Sequence, residues 1–159
     1  MFIAPSNTNT NPLTIPIYMI QVEQDLRTRP SNPYCVYSSY IFLTNTITAF
    51  LFDYNVYATI FFLLFVTSFT YHSYKNIYTN VLDKMAILAV VLYGGHMFFQ
   101  KCYLSSIESI MKAIVVVAAF ISIIIIHYHN RTSNDDTSQF LHCIIHTLSS
   151  IGHHIIIFM

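Results

Sequence analysis

From residue 55 onward the chain consists of long apolar blocks separated by short polar gaps. The blocks run over about 55–74 (NVYATIFFLLFVTSFTYHSY), 84–103, 110–128 and 138–158. Each is close to the roughly 20 residues that carry an α-helix across a bilayer. A further block, about 36–53, is diluted by Ser38, Ser39, Thr44, Asn45, Thr46 and Thr48. It is expected to cross against other helices that satisfy those groups rather than to face lipid all round. The pattern predicts an all-α integral membrane protein, a bundle of about five transmembrane helices over residues 34–159, behind a polar leader at 1–33. Within the leader the Asn/Thr-rich run SNTNTNPLT reads as disordered. Residues 1–16 lack a basic n-region and an apolar h-region, so no secretory signal is expected.

Composition agrees with the pattern. Of 159 residues 55% are hydrophobic and only 9% charged, against roughly 25% charged in a soluble domain. The net charge is zero and no basic run occurs, which argues against nucleic acid and against recruitment by anionic lipid. Three cysteines imply no disulfide framework. On the five-helix reading Cys35 opens the first helix on one side, Cys102 closes the third on the other, and Cys143 lies inside the fifth. No internal repeat, Gly-rich phosphate loop or CxxC pair is present.

Against this background the ionisable residues stand out. Ser68 and His72 lie in TSFTYH, Asp83 in VLDKM, and His142 and His146 in HCIIH. Because successive helices alternate direction, the end of the second helix, the start of the third and the first two turns of the fifth all fall in one leaflet. The five residues therefore share one depth. Ser68 and His72, and likewise His142 and His146, are four apart and share a helix face. Three neutral imidazoles, His72, His142 and His146, are the ligand set of a catalytic zinc site with its fourth position open. Asp83 and Ser68 would then orient water and exchange protons with it.

Each piece has an ordinary role when taken singly. His72 at a helix end suits the headgroup region, Asp83 at a helix start suits capping and the helix dipole, and an HxxxH pair arises readily in a chain with eight histidines. Co-location of all five near a bilayer, where ionisable groups are costly, favours function. Among the rest, His127 and His129 mark the water interface, and Gly94-Gly95 before His96 permit a close helix contact. His153 lies too deep to share an ion with His142 and is a candidate to line a cavity. Asn130-Arg131-Thr132 is a glycosylation sequon, usable only if its loop faces a lumen. Arg27, Arg29, Lys75, Lys84 and Arg131 fall on the side of the five residues, against Lys101 and Lys112 on the other, which orients the site toward the cytosol.

The segments SFTYHSYKNIYTNVLDKMAI and HCIIHTLSSIGHH resemble the motifs of the alkaline ceramidases and, more broadly, the CREST superfamily of membrane hydrolases. That superfamily also holds the progestin and adiponectin receptors and the GPI-anchor-remodelling proteins. Its pattern of Ser-xxx-His, Asp at the next helix and His-xxx-His in the last is matched at Ser68/His72, Asp83 and His142/His146. The eleven-residue step from His72 to Asp83 and the tail HTLSSIG are most similar to the ceramidases. The likeness covers residues 60–100 and 138–158.

The resemblance implies that His72, His142 and His146 bind zinc and that Ser68 and Asp83 assist in splitting the amide of ceramide into a sphingoid base and a fatty acid. The lipid substrate would enter from the bilayer. Two features depart from the family. It has seven helices where this chain has room for about five, so the substrate pocket is either open on one side or completed by a second copy. Its acidic, Trp-containing calcium segment has no counterpart, since this chain has no Trp and only Glu23 and Asp25 as acids in its first 50 residues. Two alternatives stand beside the ceramidase-like reading: a related hydrolase acting on another lipid, and a non-catalytic multi-pass protein that keeps the metal site for structure or sensing.

Overall fold

A computed structural model describes residues 33–103, 107–130 and 135–159. The leader expected at 1–33 lies, apart from Pro33, outside the described residues, as do Arg131 and Thr132 of the sequon. Every element described is helical: α1 (Pro33–Ser39), α2 (Ile41–Leu51), α3 (Asn55–Ser73), α4 (Ile77–Tyr103), α5 (Ile107–Asn130) and α6 (Asp135–Phe158). Four of them, α3 to α6, are long and apolar enough to cross a membrane. The weaker block expected over 36–53 is the broken pair α1 and α2.

The break has a local cause. The hydroxyls of Ser38 and Ser39 both donate to the Cys35 carbonyl, at 3.0 and 3.1 Å. Back-bonding of this kind distorts a helix. At Tyr40 the ladder tightens to three-residue bonds, Tyr40 N to Tyr37 O at 3.1 Å and Leu43 N to Tyr40 O at 3.0 Å, while the Tyr40 backbone stays right-handed helical.

The end of α2 is a true stop. Asp53 adopts a left-handed φ of 61°; Tyr54 N bonds Ala49 O at 2.9 Å and Asp53 N bonds Phe50 O at 3.1 Å. This is the Schellman arrangement, with an aspartate tolerating the position usually given to glycine. At the start of α4, Thr79 N donates to Asn76 Oδ1 at 2.8 Å and Asn76 N to Thr79 Oγ1 at 3.2 Å, a reciprocal cap. Asp83 was expected to begin this helix. It lies instead seven residues in, and the capping role belongs to Asn76.

Cross-contacts fix the registers. The α1–α2 unit runs parallel to α6, with Cys35 against Cys143, Ser38 against His146, Asn45 against Ser150 and Thr48 against His154. α5 runs antiparallel to α6, with Phe120 against Gly152 and Lys112 bonded to the Phe158 carbonyl at 3.1 Å. α4 runs parallel to α6, with Gly94 under His153 and Lys101 on the Ile157 carbonyl at 2.7 Å. The two lysines satisfy carbonyls that the end of α6 leaves open.

The core lies where the helices meet. Phe42, Ala49, Tyr57, Ala58, Phe61, Leu64, Val90 and Ile157 form one buried cluster, and Met97, Val116 and Ile156 a second. On α5 only Val116 is fully buried, while Ile114, Ile121, Ile124 and Ile125 face outward. So much exposed apolar surface is foreign to a water-soluble monomer.

Candidate metal centre

α3 and α6 run antiparallel, His72 facing His142 at one end and Tyr57 facing His153 at the other. No Cα of α3 comes within 8 Å of one of α6. Their side chains bridge the gap, and at the first two turns of α6 the bridging groups are imidazoles.

His72, His142 and His146 each offer a nitrogen, and the three lie within 4.8 Å of one another. The Nε2 atoms of His72 and His142 face each other at 3.3 Å. Two nitrogens bound at about 2.0–2.1 Å to one tetrahedral ion are separated by about 3.3–3.4 Å, so this edge fits two ligands of one metal ion. Ring centroids lie 4.6 Å apart for His142–His146 and 5.5 Å for His72–His146. His72 and His146 are buried and His142 half-buried. This group could hold a metal ion.

The third ring is oriented from a neighbouring helix. Ser38 Oγ lies 2.9 Å from His146 Nδ1 and donates its one proton to the Cys35 carbonyl. The hydroxyl therefore accepts from Nδ1–H, which leaves Nε2 as the lone-pair nitrogen of His146. Phe42 packs on the same ring with centroids 4.9 Å apart. Ser38 was read from sequence only as a polar group needing a partner. Nothing in its spacing points to His146, 108 residues away.

Ser68 is buried one turn before His72, its hydroxyl 3.1 Å from that of Ser39. Asp83 is 3% exposed, and its Oδ1 has no hydrogen-bond partner. The offset of 56 to 59 residues between α4 and α6 at Lys101 and Gly94 puts Asp83 level with residues 139–142, at the depth of the histidines. A buried carboxylate oxygen without a partner is costly, and an ionisable group within a membrane bundle marks a candidate functional site.

The other histidines separate as follows. His96, His127 and His129 are exposed. His153 is packed in the core. It is 1% exposed, with Nδ1 on the Tyr57 hydroxyl and its ring among Phe61 and Phe120. Of the glycine pair, Gly94 makes the close contact, since a Cβ there would lie 2.7 Å from both His153 Cε1 and the Tyr57 hydroxyl. Gly95 meets nothing within 4 Å. His154 joins a polar cluster absent from the sequence reading, in which Asn45 Nδ2 bonds the Ser150 carbonyl at 3.0 Å and His154 Nδ1 at 2.8 Å, and Ser150 Oγ donates to Asn45 Oδ1 at 2.6 Å.

No protein-family model, curated protein or solved structure matches the chain. The geometry of the site therefore stands on its own.

Proposed function

We propose that the chain is a multi-pass integral membrane hydrolase that binds zinc at His72, His142 and His146 and cleaves a lipid amide of the ceramide type. The observation that carries this reading is the convergence of three imidazoles from two helices, their nitrogens within 4.8 Å of one another and one pair at 3.3 Å, inside a bundle whose outer surface is apolar. The motif likeness to the ceramidases supplies the substrate class.

Zinc, when bound, supplies Lewis-acid polarisation of a carbonyl and activation of water. The chain's own groups do the rest. Asp83, with an unpartnered carboxylate oxygen, is the group to take a proton from water and return it to the leaving amine. Ser68 donates a hydrogen bond to the oxygen that gains negative charge, after exchanging its contact with Ser39. Ser38 holds His146 in one tautomer. A lipid reaches the site laterally, with its chains along the apolar helix faces.

The existing Ser39–Ser68 contact also favours a second reading, in which the metal is structural and no turnover occurs. Metal analysis of detergent-purified protein by mass spectrometry comes first. One zinc per chain, abolished by His142→Ala and by His72→Ala, supports the site. Ceramide hydrolysis by the loaded protein, absent with glycerolipids, then supports the amidase. Zinc without turnover selects the structural reading, and turnover of another lipid selects a related hydrolase. Well-folded wild type that takes up no zinc after reloading refutes the proposal.

A further inference from the structure

The cysteines, dispersed in the sequence, are not dispersed in the fold. Cys35 on α1 and Cys143 on α6, 108 residues apart, bring their sulfurs to 3.7 Å. Both are free thiols. Sulfurs at van der Waals contact need approach by less than 2 Å to reach the roughly 2.05 Å of a disulfide. Cys35 is buried and also reaches the Gln139 carbonyl at 3.6 Å, while Cys143 is half-buried. Cys102, at the far end of α4, takes no part in the pair.

Their placement is informative. Cys143 lies between His142 and His146. Cys35 lies one turn before Ser38, which holds His146, and its carbonyl accepts from both Ser38 and Ser39. The α1–α6 contact that carries the two thiols is therefore the contact that orients the third imidazole.

We propose that Cys35 and Cys143 form a reversible thiol–disulfide pair that staples α1 to α6 beside the metal centre. The oxidant is a low-molecular-weight disulfide. The sulfur of Cys143, the more exposed of the two, attacks one sulfur of that disulfide and releases the first small thiol. The sulfur of Cys35 then attacks Cys143 in the mixed disulfide, releasing the second. Two protein thiols lose two electrons and two protons, one protein S–S bond forms, and the oxidant leaves as two thiols carrying those protons. This chemistry does not depend on the hydrolase reading.

The test uses the full chain in detergent, equilibrated with mixtures of oxidised and reduced glutathione, quenched with an alkylating agent and mapped by peptide mass spectrometry. A linked peptide pair joining Cys35 to Cys143, reversed by excess reduced glutathione, is expected. In Cys35→Ser, Cys143 should accumulate as the glutathione mixed disulfide; in Cys143→Ser, Cys35 should stay a thiol. Oxidation should raise the melting temperature of wild type and of Cys102→Ser and leave that of Cys143→Ser unchanged. If Cys35 and Cys143 are instead alkylated or separately glutathionylated under conditions that modify Cys102, the pair does not exist. A linked pair without any change in melting would show that the bond is no staple.

Discussion

Ser38→Ala removes the one side-chain group that holds His146 Nδ1, at 2.9 Å. His146 is 6% exposed, so water cannot easily replace the lost acceptor. The ring N–H is then left unpaired, at a cost of about 1–3 kcal/mol, or the ring turns and the lone pair moves away from its partners. Loss of such an outer partner weakens metal binding by roughly 10- to 100-fold, which is about 1.4–2.7 kcal/mol at 1.36 kcal/mol per factor of ten. The assay is chelator competition for zinc at fixed pH, with the melting of the metal-free protein as a check on folding. Ser38→Thr, which keeps the hydroxyl, should recover most of the affinity. Ser39→Ala, whose partners are Ser68 and the Cys35 carbonyl, should bind close to wild type. If Ser38→Ala binds zinc as tightly as wild type while His146→Ala does not bind, the orienting role assigned to Ser38 is wrong.

Metal and fold should be coupled, since the ligands come from two helices whose Cα atoms stay more than 8 Å apart: stripping zinc with a chelator should lower the melting temperature of wild type and leave that of His142→Ala unchanged. Asp83→Asn keeps the shape and removes a buried charge, so folding should be retained or improved while ceramide turnover falls by about 10²–10⁴-fold, the usual contribution of a proton-transfer group; undiminished turnover would exclude Asp83 from the chemistry. Gly94→Ala would drive a methyl to 2.7 Å from His153 and Tyr57, costing about 1–3 kcal/mol in equilibrium unfolding, whereas Gly95→Ala, which meets nothing within 4 Å, should gain up to about 1 kcal/mol of helix propensity. Asn45→Ala removes the acceptor of the Ser150 hydroxyl and one partner of His154, which keeps Thr48 and the Ser150 carbonyl, and should cost about 1–3 kcal/mol in the same measurement.

The sequence by itself determined what depends on neighbours within one or two turns. Apolar blocks of bilayer length announced α3 to α6, and the four-residue spacings of Ser68/His72 and His142/His146 announced which side chains share a helix face. Alternation of helix direction then sufficed to bring His72 level with His142, because depth along a bundle is counted along the chain. Asp83 was placed at the right depth for a partly wrong local reason, since a capping residue was sought at the apolar block's edge and the polar turns from Asn76 onward are helical too.

Only the tertiary structure decided which faces meet. The parallel contact of α1 and α2 with α6 pairs residues 105 to 109 positions apart, and no periodicity within either segment specifies that register. From it come the grip of Ser38 on His146, the Asn45–Ser150–His154 cluster and the approach of Cys35 to Cys143. Helix periodicity is a property of adjacent turns, whereas the fit of one helix on another is a property of volumes and hydrogen bonds summed over the whole bundle.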